Sequence, residues 1–139
     1  MPTKPDLTVA VDPGVKRTGL AVSSPTGIVT SSWRPWAAVR YLHNCCQAEQ
    51  VEQVILEQWV PYPEAMNGNA WRDLVEVKTL GAMEWLCRQY GVKFCYQATG
   101  ILKPTQAYAN SQGYQWKARN RDEKAAETHL YYYQQLREE

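Results

Sequence analysis

The sequence predicts an α/β fold with a mixed sheet, in which an antiparallel opening hairpin comes first and helices flank the sheet. Short runs of apolar and β-branched residues, typical of strands, occur at 7–11, 18–23, 27–32, 54–60 and 92–97. The turn signal Pro13-Gly14 joins the first two runs as a hairpin. Because a meander of strands precedes strands that alternate with helical segments, we expect a mixed sheet.

Three segments have the spacing of helices, at 35–50, at 70–90 and from 121 onward. In the first of them, Trp36 and Val39 begin an apolar face that Leu42 or His43 continues. The second is followed by Gly91, a residue type that often ends helices. The region between the last strand and Arg121 is polar and aromatic, and no element is predicted there.

Length and composition fit one domain over residues 1–139, since a chain of this size can bury one core but hardly two. The net charge of +1 excludes a strongly basic nucleic-acid binder. No apolar run approaches a membrane span and the first residues lack the apolar region of a signal peptide, so we expect a cytoplasmic protein with no membrane partner.

The four cysteines do not have the paired spacing of a zinc site. Cys45 and Cys46 are adjacent, whereas Cys87 and Cys95 are isolated in a helical and a strand-like segment. Reduced and mostly buried thiols are therefore expected.

Two strand-like runs each contain a single acidic residue. Asp12 ends the first strand beside the buried Val11, and Glu57 lies inside the apolar run 54–60. Acids are depleted from strand interiors, and a buried carboxylate requires a partner. Two such strands side by side would bring the acids together, where their repulsion favours a divalent cation between them. The alternative for Asp12 is an ordinary turn cap, because Asp-Pro-Gly is common in turns.

These blocks resemble the small, phage-encoded RuvC-like Holliday junction resolvases of the ribonuclease H-like superfamily. Residues 9–22 are similar to the opening strand of that family, whose Asp is a metal ligand, and residues 54–58 to its second acidic strand. Residues 73–83 resemble the helix that follows, where a small residue, here Gly81, would let helix and sheet pack closely. The resemblance runs from about residue 8 to the end of the chain.

The final helix carries the third part of the resemblance. Asp122, Ala125 and His129 share one face by their three-and-four spacing. The family commonly has an Asp-x-x-Asp pair here, so Asp122 matches the first acid and Ala125 stands where the second is expected. His129 would carry a proton or orient a water, although a lone helical histidine is more often structural.

Ala125 leaves three interpretations open. It could be an engineered substitution that inactivates the protein so that it can be handled with DNA or metal. Alternatively, Glu123 or Glu127 could replace the missing acid, or the protein could be naturally inactive. If the resemblance is set aside, the segment is a solvated helix start with acids placed favourably on the helix dipole.

The resemblance implies two ions of Mg²⁺ or Mn²⁺ held by Asp12, Glu57 and Asp122, since an oxygen-rich site suits these metals. It also implies branched DNA as the substrate, a homodimer, and the cytoplasm of a bacterium or of a phage-infected bacterium. The residues expected to contact DNA are Lys103, Lys117, Arg119, Arg121 and Lys124, interleaved with Tyr108, Tyr114 and Trp116. A flexible polar loop is the alternative for that region.

We therefore expect a metal-dependent, structure-selective DNA endonuclease that resolves four-way or other branched junctions by phosphodiester hydrolysis. Two other functions remain open from the sequence. One is a YqgF-like nuclease that acts on RNA, since that family shares the opening block. The other is a catalytically inactive junction-binding module, which Ala125 favours.

Overall fold

The computed structural model describes residues 4–58 and 74–137. Its five strands are β1 (Leu7–Asp12), β2 (Thr18–Ser24), β3 (Gly27–Trp33), β4 (Val51–Gln58) and β5 (Lys93–Ala98). Its helices are α1 (Pro35–Gln47), α2 (Leu74–Tyr90), α3 (Leu102–Ser111) and α4 (Arg121–Tyr131). A 3₁₀ turn (Thr99–Ile101) precedes α3, and a π-helical turn (Tyr132–Leu136) continues α4.

The strands form one sheet in the order β3-β2-β1-β4-β5. The β1-β2 and β2-β3 pairs are antiparallel, whereas β1-β4 and β4-β5 are parallel. The predicted α/β fold, a ribonuclease H-like mixed sheet that opens with an antiparallel hairpin, is confirmed.

Successive side chains of a strand point to opposite sides of the sheet, and the two faces of this sheet carry different residues. Val9 and Val11 of β1 belong to the larger core, which includes residues of α1 and α2. Ala10, on the opposite face, packs with Ala126 and Leu130 of α4 in a smaller cluster. Asp12, two residues beyond Ala10, therefore lies on the face that α4 covers.

The buried face of α1 differs from the predicted one. Ala38, Leu42, Cys45 and Cys46 are buried, while Trp36 is 69% exposed. Leu42 is thus the correct choice of the two predicted positions. Trp36 lies in the first turn of the helix. All four cysteines are free thiols, as predicted, and Cys95 is the one that is not fully buried.

The element bounds follow the predictions to within one residue, with three exceptions. The first helix ends at Gln47 rather than at residue 50, β4 begins at Val51 rather than at residue 54, and α3 was not predicted at all. Pro104 in its first turn reads as a loop signal in the sequence, although proline is tolerated at that place in a helix. Residues 59–60 of the fourth predicted strand and 70–73 of the second predicted helix lie outside the described residues. Within the described ranges, no helix is long and apolar enough to cross a membrane.

Helix α4 approaches the sheet closely at Gly19 in β2. A Cβ atom at this position would overlap the backbone carbonyl of Asp122. Gly81, which the sequence suggested for such a contact, is exposed, and a Cβ there would touch nothing within 4 Å. The close contact between helix and sheet is therefore made by Gly19, and the interpretation of Gly81 was wrong.

Replacing Gly19 with Ala is expected to destabilise the fold by about 1–3 kcal/mol, because α4 must move away from β2 to admit the methyl group. Gly81→Ala is the matched control, and it should be neutral or stabilising by up to about 1 kcal/mol, since alanine favours a helix interior. Urea denaturation of both variants measures this difference. Equal stability of the two variants would contradict the assigned contact.

Candidate active site

Asp12 and Glu57 lie side by side in the sheet. Val11 of β1 is in register with Leu56 of parallel β4, so the two acids that follow them are neighbours. Both acids point to the α4 face, as do the residues two positions earlier in each strand, Ala10 and Ile55. The structure thus brings together the two single acids that the sequence singled out.

Helix α4 places Asp122 and His129 over this pair. The backbone carbonyl of Asp122 lies at Gly19, which is the β2 partner of Asp12. Asp122 and His129 both act on Asp12 electrostatically. Ala125, which is buried, lies between these two residues on the same helix face. The position where the family has its second helical acid is thus apolar in this protein.

The carboxyl group of Asp12 is strongly perturbed. Its pKa is raised from 3.8 to about 9, first by burial, then by a hydrogen bond and charge repulsion from Glu57, and further by the charge of Asp122. His129 acts in the opposite direction and does not cancel these effects. At neutral pH, in the absence of a cation, Asp12 therefore retains a proton, which it shares with Glu57.

His129 is fully buried and points its second ring nitrogen at Glu57. Its Nδ1 donates to Oε1 of Gln97 at 2.8 Å, so Nε2 carries the lone pair. Nε2 lies 3.6 Å from Glu57 Oε2, and neither atom has a hydrogen-bond partner. Burial lowers the pKa of His129 to about 4, although Asp12 opposes this effect, so the ring is neutral at pH 7. Two unpaired acceptors thus face each other.

This donor set fits the lining of a cation site. Glu57 Oε2 and His129 Nε2 are buried acceptors without a donor, and they lie beside a carboxyl group that holds its proton to high pH. A positive ion would satisfy both acceptors. Carboxylate oxygens from Asp12, Glu57 and Asp122 are ligands that suit Mg²⁺ or Mn²⁺. Among the residues described, however, no three acidic, histidine or cysteine side chains are already gathered as a metal-holding cluster.

Glu123 and Glu127 do not face this site. Glu123 accepts hydrogen bonds from Thr30, Ser32, Arg119 and Asn120. Burial alone would raise the pKa of Glu123, but these hydrogen bonds outweigh it and lower the pKa to about 2.

Glu127 accepts from the Tyr114 hydroxyl and from the backbone N–H groups of Lys117 and Ala118. Its carboxylate is thus fully engaged with the segment that precedes α4. The structure therefore gives no support to either glutamate as a replacement for the missing acid.

The cationic side chains expected to contact DNA are exposed, at Lys103, Lys117, Arg119 and Arg121. Of the three aromatic side chains expected beside them, Tyr108 is exposed, whereas Tyr114 and Trp116 are engaged in contacts within the protein. Tyr114 packs against Trp116 and Tyr131 while its hydroxyl group donates to Glu127. Trp116 Nε1 donates to Asn110, and Lys124 Nζ lies 5.2 Å from the centre of the Trp116 ring. The two rings therefore help to fix the segment against α4.

Sequence reasoning missed Gln97, which orients His129. A polar side chain in register with Glu57 on β5 could have indicated it. It also missed the anchoring roles of Glu123 and Glu127, which the four-residue spacing of two acids on a buried helix could have suggested.

Comparison with solved structures identifies proteins of similar architecture. RuvC from Thermus thermophilus, in complex with Holliday junction substrate, matches with a TM-score of 0.59 and 16% identity, over 94% of this chain and 96% of that chain. The chain has the RuvC fold. A second structure of Thermus thermophilus RuvC matches with a TM-score of 0.58 and 17% identity, over 92% of this chain and 95% of the RuvC chain. No protein-family model and no curated protein matches the sequence.

Replacing Asp12 with Asn should stabilise the metal-free protein increasingly as the pH rises. An acid whose pKa is raised from 3.8 to about 9 on folding costs stability progressively between these two values, and Asn removes that cost while still donating to Glu57. The free energy of unfolding in EDTA should exceed that of the wild type by about 1 kcal/mol or more at pH 8, and by less at pH 5.

The exposed Asp6, just before β1, provides the control Asp6→Asn, for which no such trend is expected. An Asp12→Asn variant that is less stable than the wild type at pH 8 would contradict the repulsion between Asp12 and Glu57.

Proposed function

We propose that this protein is a metal-dependent, structure-selective DNA endonuclease that acts on four-way or other branched junctions by phosphodiester hydrolysis. The observation that carries the proposal is the set of unpaired acceptors on Glu57 and His129 beside the proton-retaining Asp12, on a RuvC-like sheet. We propose further that residues 1–139 act as one nuclease domain in the cytoplasm.

In this proposal Asp12, Glu57 and Asp122 hold Mg²⁺ or Mn²⁺. The ions, when bound, would activate a water and stabilise the leaving oxygen of an in-line displacement. His129 is neutral, and Gln97 fixes its tautomer so that Nε2 is free to accept a proton. The buried position of this imidazole excludes bulk water from the atom that would hold the proton.

The substrate strand would run along the segment that Glu123 and Glu127 fix to α4. Lys117 and Arg119 belong to this segment and Arg121 begins α4; all three are exposed, and the Arg119 guanidinium also pairs with Glu123 at 3.4 Å. Lys103 is presented by α3. Cations on an anchored backbone can neutralise phosphates without first paying the cost of ordering the loop. Tyr114 and Trp116 position this segment in the proposal rather than stack on bases.

A junction-binding module without catalytic activity is the second candidate, and Ala125 favours it. The helix face between Asp122 and His129 presents a methyl group where a further carboxylate would complete the donor set. The DNA-contacting cations do not depend on that position. Binding and cutting can therefore separate in this chain.

Replacing Ala125 with Asp should increase cleavage of a four-way DNA junction by about 10- to 100-fold in Mg²⁺, because an added ligand positions the nucleophile better. Junction affinity should change little. Gel shift and strand cleavage are measured together at equal protein and junction concentrations, with a hairpin RNA as the competing substrate.

Ala107→Asp, which adds the same charge at an exposed position of α3, is the control and should not increase cleavage. Full-rate cleavage by the unchanged chain, with no gain from Ala125→Asp, would show that the site does not lack an acid. Preferential cleavage of the RNA would favour the alternative nuclease.

We also propose a homodimer formed through an apolar patch on α1 and α2. The patch consists of Trp36, Val39, Ala82, Trp85 and Leu86, of which Trp36 is 69% and Trp85 is 58% exposed. Two large exposed aromatic side chains on adjoining helices are typical of an interface. Symmetric cleavage of a junction requires two active sites, and a two-fold pairing supplies them.

The wild type should have a dimeric mass in light scattering at micromolar concentration, and Trp85→Glu should be monomeric because the interface would have to bury a charged side chain in place of an apolar one. Tyr108→Glu, at another exposed aromatic position, should remain dimeric. A monomeric wild type would contradict the proposed interface.

A further inference from the structure

A cationic groove lies outside the segment expected to contact DNA. It is a cavity of about 770 Å³. Its lining includes Val15, Lys16, Arg34, Trp36 and Lys78. These residues come from the β1-β2 turn, the residue before α1, and α2. Among the residues that the structure describes, no acidic side chain lines the groove.

The position of the groove relates it to the candidate active site. The β1-β2 turn begins directly after Asp12, so Lys16 follows that carboxyl group by four residues. Thr18 pairs with Trp33, which places Arg34 at the same end of the hairpin. The groove therefore opens at the end of the sheet that carries Asp12 and Glu57, while α1 and α2 place it on the face opposite α4.

The chemistry of the lining indicates an anionic ligand with an aromatic part. Lys16, Arg34 and Lys78 are exposed, and none of them forms an ion pair with another described residue. Three unpaired cations around a concavity produce a positive potential that attracts phosphates. Trp36 is 69% exposed at the same groove and offers a ring face on which a base can stack.

We propose that this groove binds a single-stranded segment of nucleic acid, with phosphates on Lys16, Arg34 and Lys78 and an unpaired base on Trp36. Duplex DNA would not use the tryptophan, because its bases are already stacked on one another. The proposal rests on the proposed function only for its substrate: the strand would be one that unpairs where a DNA junction branches. A protein partner with an acidic surface is the competing occupant.

The test measures binding of a fluorescein-labelled ten-residue oligothymidine by anisotropy over a range of salt concentrations. Lys78→Gln and Arg34→Gln should each weaken binding about threefold or more and lower the slope of log affinity against log salt by about 0.7. Lys93→Gln is the matched control. Lys93 is exposed and begins β5, so it lies at the opposite end of that strand from Gln97 and away from the groove. It should leave both quantities unchanged.

The stacking contact is tested by Trp36→Ala and Trp36→Phe. The alanine variant should bind the oligonucleotide about fivefold or more weakly, and the phenylalanine variant should retain most of the affinity. Because Trp36 also belongs to the proposed dimer patch, the mass of each variant is measured in parallel. A loss of affinity in a variant of unchanged mass supports the groove as the binding site. A loss of affinity in a variant that has dissociated to monomers contradicts it.

Three outcomes would overturn the inference: wild-type affinity in the Lys78 and Arg34 variants, equal losses in the Lys93 control, or displacement of the oligonucleotide by oligoglutamate at equal charge concentration. These outcomes are distinguishable from failure of the proposed function. Oligothymidine binding that requires the groove, in a protein that neither binds nor cuts four-way junctions in either metal, would reject the proposed function alone. Junction cleavage with no effect of the groove variants would reject the groove alone.

Discussion

The contact between α4 and β2 at Gly19 governs the arrangement of the candidate site. Because β2 has no side chain there, the first turn of the helix comes down onto the strand that pairs with Asp12. The same approach buries Ala126 and Leu130 against the sheet and brings His129 to Glu57. A helix held further away would leave the strand acids in solvent, where water would screen their repulsion and donate hydrogen bonds to their oxygens.

The cost of this approach is electrostatic. Carboxyl groups and an imidazole lone pair are brought into a partly dry space, in which Asp12 holds a proton and two acceptors have no donor. Protein cores rarely tolerate such a set, since buried polar groups are normally paired. This unpaired set is the strongest support for our proposal that the site holds a cation and serves a reaction rather than the stability of the fold.

The other face of α4 also carries buried acids, but these acids have a different role. Glu123 and Glu127 are as deeply buried as His129, but every oxygen has donors from β3 or from residues 114–120. These carboxylates fix an exposed cationic segment beside the candidate site at no cost in unpaired charge. The buried carboxylates of α4 thus have donors, whereas His129 Nε2 on the same helix and Glu57 Oε2 of β4 have none, and this difference separates the anchoring residues from those that we propose as catalytic.

The sequence by itself determined the mixed sheet, the single acids of β1 and β4, and the helix face shared by Asp122, Ala125 and His129. These features follow from local periods of two and of 3.6 residues, which need no knowledge of distant contacts. Only the tertiary structure decided that Gly19 rather than Gly81 admits the helix, that Glu123 and Glu127 turn away from the site, and that Trp36 lies in solvent. Each of these depends on which element approaches another from far along the chain, and that choice is made by packing of the whole core.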